Sequence, residues 1–77
     1  MIPVKIILFG KLTDIAGSSL ALKNIADTNR LIEEMHNRYP ALAQAKYVIA
    51  VDKKVVNENT ALTENNIVAL LPPFSGG

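Results

Sequence analysis

Two stretches decide the fold: Val4-Lys5-Ile6-Ile7-Leu8-Phe9 near the start of the chain and Ile67-Val68-Ala69-Leu70-Leu71 near its end. Apolar residues occupy both of the faces that each stretch presents as a strand. That pattern is typical of a strand at the centre of its sheet, because an edge strand or a half-exposed strand alternates between apolar and polar residues. We therefore predict a first strand over residues 2–9 and a last strand over residues 67–71, adjacent at the centre of one sheet.

One helix is predicted between these two strands. Asp27 or Thr28 is a suitable N-cap, the helical pattern extends to about Tyr39, and Pro40 ends it. The apolar positions of this segment fall on one stripe at helical spacing, and its charged positions take the other side. The stripe consists of Leu31, Ile32, Met35 and Tyr39. A helix with one apolar stripe is expected to pack across one face of the sheet.

The remaining elements are short. A helical turn is predicted over residues 11–16 with Gly17 as its C-cap, and further strands over residues 18–22, 47–51 and 55–56. A turn is predicted at Glu64-Asn65-Asn66, where Asn can take a positive φ as Gly would. Two residues that cannot extend a ladder, Pro72 and Pro73, end the last strand.

The order strand, strand, helix, strand, short strand, strand predicts an α+β fold of the β-grasp (ubiquitin-like) type, a mixed sheet with one main helix across one face. We predict a single domain over residues 1–77, in which residues 72–77 form an extended C-terminal tail.

Composition narrows the classes of function. The chain has 77 residues, a net charge of +1 and no cysteine, and 49% of its residues are hydrophobic. It is too apolar for a disordered segment and has no basic stripe for nucleic acid, and thiolate zinc sites are excluded. We see neither a signal peptide nor an apolar run long enough to cross a membrane. The expectation is a soluble cytoplasmic protein with no metal site and with neither nucleic acid nor a membrane as partner.

The candidate chemical group is the C-terminal carboxylate on Gly76-Gly77. No Ser–His–Asp set or phosphate-binding glycine loop is present, and the lone His36 borders the helix stripe without a second ligand nearby. Two glycines make a stem without side chains that can enter a narrow channel. A carboxylate with a pKa of about 3.5 is ionised and unreactive toward nucleophiles, so it must first be activated, most simply as an acyl adenylate made from ATP. The alternative is a frayed end without function.

The residues that carry a family resemblance lie at both ends of the chain. They are Val68-Ala69-Leu70-Leu71-Pro72-Pro73-Phe74-Ser75-Gly76-Gly77 and Val4-Lys5-Ile6-Ile7-Leu8-Phe9-Gly10, followed by Asp14-Ile15-Ala16-Gly17. With these features the chain resembles the MoaD/ThiS sulfur carriers over essentially its whole length. The double proline before a short tail resembles the tail of one branch of this family. The members of that branch are the small subunits of molybdopterin synthase.

The resemblance implies a carrier that has no active site of its own. An activating enzyme of the ubiquitin-E1 type would use ATP to adenylate Gly77, and a sulfur donor would convert the adenylate to a thiocarboxylate. The large synthase subunit would then transfer this sulfur to a cyclic pyranopterin phosphate in molybdenum cofactor biosynthesis. Gly76 would give steric access, and the residues that position the tail would be Ser75, Phe74, Pro73 and Pro72. No cofactor would be bound by this chain.

The resemblance also implies a docking surface on the large subunit, formed by Phe9, Val55 and Leu71, in a heterotetramer of two small and two large subunits. The competing interpretation is that these three residues belong to the core. We assign Phe9 and Leu71 to the interface and leave both interpretations open for Val55. Thr13 stands where many relatives have arginine, so a salt bridge to the partner at that position is in doubt.

Three other functions remain open from the sequence. The chain could carry sulfur for thiamine or another product, although Phe74 and the double proline argue against it. It could be a ubiquitin-like protein modifier that ends in an isopeptide bond through Gly77. It could also be a β-grasp interaction module with an idle tail.

Overall fold

The computed structural model of the chain describes residues 3–73. Their strands and helices follow in the order β1 Val4–Leu8, α1 Thr13–Ala16, β2 Ser19–Leu22, α2 Thr28–Arg38, β3 Val48–Val51, β4 Lys54–Val56 and β5 Ile67–Leu71. Two 3₁₀ segments, Gly10–Leu12 and Pro40–Gln44, precede α1 and follow α2.

The five strands form one mixed sheet in the order β2-β1-β5-β3-β4. The first and last strands pair in parallel at its centre, with Ile6 opposite Val68 and Leu8 opposite Leu70. Every other neighbouring pair is antiparallel. The β-grasp prediction is confirmed, including the adjacency of the two stretches that are apolar on both faces.

The core lies between one face of the sheet and helix α2. Leu31 and Met35 of the helix are fully buried, and so are Ile6 of β1 and Val68 of β5. Burying a side chain of this size contributes about 1.5–3 kcal/mol, so the burial of this layer is a large favourable contribution to folding. Ile32 and Tyr39, the other two predicted stripe residues, pack against the core while partly exposed.

Both ends of α2 agree with the predicted capping. The Asp27 side chain accepts a hydrogen bond from the backbone N–H of Arg30 at 2.8 Å, which satisfies one free donor of the first turn. Tyr39 is the C-cap, and Pro40 begins the 3₁₀ segment that places Leu42 in the core. The sequence pattern did not predict that segment.

The predicted turn at residues 64–66 is present, but it does not use the positive φ that Asn can adopt. Asn65 and Asn66 both have negative φ. The turn closes instead through the Asn66 side chain, whose oxygen accepts a hydrogen bond from the N–H of Thr63 at 2.7 Å. An Asn side chain can hold a turn by such a local bond, without the left-handed backbone that Gly provides.

Positive φ occurs instead in the turn between β3 and β4. Asp52 has φ 49° and Lys53 has φ 73°, and positive φ at both central residues is the backbone pattern of a type I′ hairpin. The Asp52 carboxylate accepts a hydrogen bond from the N–H of Ile67 at 2.9 Å and another from the Asn66 side chain at 2.6 Å. The Ile67 bond, followed by the Asn66 bond, lowers the pKa of Asp52.

We expect this lowered pKa to make the stability of the fold depend on pH at the acid end. The free energy of unfolding contributed by the Asp52 bonds is fully present above the pKa of an unfolded aspartate, about 3.9, and is lost as pH falls through the lower folded value. Urea unfolding of the wild type and of Asp52→Asn, measured from pH 7 downward, checks this. The difference in stability between the two proteins should be largest at neutral pH and should shrink below about pH 4. A difference independent of pH would contradict the assignment.

Candidate functional site

The chain leaves the sheet at the centre, directly after β5. Pro72 is half-buried and Pro73 is exposed. The other predicted tail residues, Phe74, Ser75, Gly76 and Gly77, lie outside the described residues, so their predicted roles remain predictions. The structure does show where their stem begins, since β5 ends at Leu71.

A close contact with Gly10 fixes the position of Pro72. Gly10 has φ +60°, and a Cβ added there would lie 2.7 Å from the Cγ atom of Pro72. Glycine is therefore the only residue at position 10 that lets Pro72 come this close without a shift of either residue. Glycine also avoids the energetic cost that a side chain adds to a left-handed backbone. The N–H of Phe9 donates to the carbonyl of Leu70 at 3.1 Å, so the parallel ladder continues up to the contact.

The sequence indicated only that Gly10 ends the first strand. It missed the second role of this residue, the contact with Pro72. A signal was present, because a glycine follows the first central strand and a proline follows the last one.

The face of the sheet away from α2 carries a continuous set of apolar side chains, which we call the open face. It comprises Ile7, Phe9, Val48, Ala50, Val55, Ile67, Ala69 and Leu71, which alternate along their strands with the core residues. Among the described residues, the large apolar side chains classed as exposed are Phe9 (45%), Val55 (59%) and Ile67 (46%), and all three lie on this face. Exposed apolar patches of this kind are common on protein surfaces that contact another molecule.

The structure brings the three predicted partner-binding residues to this one face. Phe9 follows β1 beside β5, and Leu71 at the end of β5 is half-buried opposite Val48. Val55 lies on the edge strand β4 and is mostly exposed, so it is not a core residue. That these residues bind a partner remains a prediction. Ile67 was not predicted, although the alternation of β5 places it on the same face as Leu71.

A groove of about 330 Å³ crosses the open face. Its apolar lining is Ile7, Phe9, Ile67 and Ala69, and its polar lining is Asp52 and Lys53. A second cleft of about 380 Å³ lies where β1 begins and β2 ends, at the opposite end of the sheet from Pro72. Only the first groove therefore adjoins the surface that leads to the tail.

Within residues 3–73 we find no group of three His, Asp or Glu side chains that could hold a metal ion. His36 is half-buried, and its Nε2 atom lies 2.8 Å from the hydroxyl oxygen of Tyr47, so the ring joins α2 to the segment before β3. Burial raises the pKa of Tyr47. In the same part of the chain, no helix is long and apolar enough to cross a membrane.

The acidic residues of α2 take part in a surface network. Arg30 pairs with Glu33 at 2.9 Å and with Glu34 at 3.4 Å, and Arg38 pairs with Glu34 at 2.9 Å. The hydrogen bond from Arg38, aided by its charge and that of Arg30, lowers the pKa of Glu34. These carboxylates lie on the helix rather than on the open face, so they are solvated surface charges of the kind that the sequence predicted.

Comparison with known proteins gives a consistent set of relatives. A sequence profile of the ThiS family matches residues 6–77. A protein of Arabidopsis thaliana named molybdopterin synthase sulfur carrier subunit is 22% identical over 99% of this chain and 84% of its own length.

Solved structures with the same fold include a putative molybdopterin converting factor subunit 1 from Pyrococcus furiosus. It has a TM-score of 0.85 and 22% identity, and the match covers 96% of this chain and 100% of that one. A complex of subunits 1 and 2 of molybdopterin-converting factor from Helicobacter pylori matches with a TM-score of 0.73 and 24% identity, over 97% and 99% of the chains. The small archaeal modifier protein 1 of Methanosarcina acetivorans matches with a TM-score of 0.81 and 22% identity, over 100% and 98%.

We expect Gly10→Ala to destabilise the fold by about 1–2 kcal/mol from its left-handed backbone alone, with a further loss from the clash with Pro72. A double-mutant cycle with Pro72→Ala separates the two causes, because the second change removes the ring that the new Cβ would meet. Urea unfolding of the two single variants and the double variant measures the coupling. A double variant that loses the full sum of the single losses would show that the contact with Pro72 carries no energy.

Proposed function

This chain belongs to the ThiS family, and we propose that it is the sulfur-carrying small subunit of a molybdopterin synthase. The observation that carries the proposal is the extent of the family match, which begins within β1, covers all of β5 and includes Gly76 and Gly77. The plant relative named as a molybdopterin synthase sulfur carrier aligns with 99% of the chain, which supports this branch of the family.

The proposed chemistry takes place on the carboxylate of Gly77. A carboxylate oxygen attacks the α-phosphorus of ATP on an E1-like enzyme, and pyrophosphate leaves. A donor at the oxidation level of sulfide then attacks the acyl carbon and displaces AMP, which leaves a thiocarboxylate. In the large subunit the thiocarboxylate sulfur attacks a carbon of the cyclic pyranopterin phosphate and displaces an oxygen substituent from that carbon. Water then attacks the acyl carbon, which breaks the acyl–sulfur bond, leaves the sulfur on the pterin and regenerates the carboxylate. The carrier binds no cofactor itself and needs no cysteine.

The geometry of the described residues supports docking through the open face. Gly77 lies four residues beyond Pro73, so the two residues are at most about 14 Å apart in any conformation. A partner that acts on Gly77 must therefore approach within that distance of Pro73. The open face meets this requirement, because Leu71 directly precedes Pro72, and Phe9 directly precedes the glycine that Pro72 contacts.

The proposed partners are a large synthase subunit, in a heterotetramer of two small and two large subunits, and an E1-like adenylating enzyme, in the cytoplasm. The Helicobacter pylori structure, in which a subunit of the same fold is in complex with subunit 2 of its converting factor, supports the first partner. Phe9, Val55 and Leu71 would contribute the apolar contacts of this interface.

A ubiquitin-like modifier is the second candidate, because the archaeal modifier has the same fold. The two functions share the adenylate and differ in its fate: a carrier ends as a thiocarboxylate, and a modifier ends as an isopeptide with a lysine. The product formed therefore distinguishes them, and the fold does not.

The test of the carrier function is an intact-mass measurement after incubation with ATP, a cognate activating enzyme and a sulfide donor. We expect a mass gain equal to the replacement of one oxygen by sulfur, because the acyl adenylate is open to attack by sulfur. Removal of Gly77 should abolish the gain.

Lys23→Arg, a conservative change away from the tail, is the matched control and should show the full gain. Absence of a gain with an enzyme that demonstrably releases pyrophosphate would contradict the carrier function. Species heavier by a whole protein would favour the modifier.

A second test concerns the docking surface. We expect Phe9→Asp and Val55→Asp each to weaken binding to the large subunit by at least about tenfold, since a charge in an apolar interface must be desolvated. Both side chains are exposed in the free protein, so the variants should fold normally, which circular dichroism can confirm.

Calorimetric titration measures the affinity. Ala43→Asp introduces the same charge at an exposed position of the segment after α2 and should bind like the wild type. Equal affinities for all four proteins would contradict docking through the open face.

A further inference from the structure

We propose that the groove on the open face receives an apolar side chain of the large subunit, and that a carboxylate beside that side chain pairs with Lys53. This inference rests on the proposed function for the identity of the partner, and it adds the chemistry that the partner must present.

The shape of the groove follows from a small residue at the centre of the sheet. Ile7 and Ala69 lie opposite each other in the β1–β5 register. Ala69 has only a methyl group, so the surface is low there, between the exposed side chains of Phe9 and Ile67. A volume of about 330 Å³ accommodates a side chain of the size of Leu, Met or Phe, and a pocket that is filled in this way is the usual centre of an interface.

One end of the groove is basic. Lys53 lines it, and Lys5 lies opposite Ile67 on the neighbouring strand. Within residues 3–73 all ion pairs are on helix α2, so neither lysine has a carboxylate within 4 Å there. The only acidic side chain in the groove lining is Asp52, whose two oxygens accept hydrogen bonds from Asn66 and Ile67.

The backbone conformation that places Lys53 at the groove is energetically unfavourable. A left-handed conformation is unfavourable for a non-glycine residue, and both Asp52 and Lys53 adopt it. The two hydrogen bonds of Asp52 tie this strained turn to the start of β5, beside Ile67. Strain that the surroundings maintain is concentrated at functional positions. Here it fixes a cation at the rim of the apolar groove.

These features define the chemistry of the partner surface that would cover the groove. Covering the groove removes water from the Lys53 ammonium group, and an unpaired cation at the edge of an apolar contact weakens binding. A carboxylate facing Lys53 offsets that loss and also steers the encounter. The complementary surface is therefore an apolar side chain flanked by Asp or Glu, at the end of the interface farther from Pro72.

The test is calorimetric titration of the large subunit with Lys53→Glu and, as the matched control, Lys23→Glu. Lys23 is exposed beyond the end of β2 and does not line the groove. We expect Lys53→Glu to weaken binding about tenfold at low salt, with a smaller effect at high salt because ions screen the pair. Lys23→Glu should bind like the wild type.

Ala69→Leu tests the apolar part, because the larger side chain fills the groove from the solvent side without entering the core. We expect it also to weaken binding about tenfold, with thermal unfolding close to that of the wild type.

The affinity of the wild type for the large subunit distinguishes a failure of the proposed function from a failure of this inference. A wild type that does not bind the large subunit contradicts the proposed function. A wild type that binds, with Lys53→Glu equal to Lys23→Glu, overturns only this inference.

A second copy of the chain is the other possible occupant of the groove. If a second copy fills the groove, light scattering of the free protein will show a dimer, and Ala69→Leu will disrupt that dimer. That result also overturns the inference.

Discussion

The parallel pairing of β1 with β5 is the constraint on which the rest of the structure depends. Within residues 3–73 these are the first and the last strands, so their pairing closes most of that part of the chain into one loop. It places Ile6 and Val68 under helix α2, and it places Ile7 and Ala69 on the opposite face by the same alternation. Core and open face are thus two consequences of one register. A slip of one residue would exchange them, because the side-chain period of a strand is two residues.

The same pairing connects the open face to the exit of the chain. Because β1 and β5 run in parallel, Gly10 and Pro72 leave the sheet side by side, and the absence of a Cβ at Gly10 lets the two residues touch. The ring of Pro72 fixes φ there and removes a backbone donor, so the ladder cannot continue. The tail therefore starts at a defined point beside Phe9 and Leu71. Any partner that binds this face meets the tail at a constant distance.

Much of this arrangement could be predicted from the sequence, because its signals are local. Residues apolar on both faces placed β1 and β5 at the centre, and Asp27 and Pro40 marked the ends of the helix. The features that were missed depend on contacts between distant residues. The Gly10–Pro72 contact joins positions 62 residues apart, and the positive φ of Lys53 is maintained by bonds that Asp52 makes to β5. Composition cannot show a strained lysine, since lysine has no preference for that backbone. Gly76 and Gly77 were selected from the residue pattern at the end of the sequence, whereas the positioning roles of Phe74 and Ser75 came from the family resemblance.

Under the proposed function, the short tail limits how the carrier can be used. A span of at most about 14 Å beyond Pro73 means that a partner acting on Gly77 must lie against the domain. The activating enzyme and the synthase then compete for the same side of the molecule, and the carrier must leave one before it reaches the other. Very tight apolar docking would oppose that exchange, because differences in affinity appear mainly in the dissociation rate. A moderate apolar face with a cation at its rim suits this requirement better than a larger apolar face. The charge would speed the encounter and discriminate between partners, and it would add little to the lifetime of either complex.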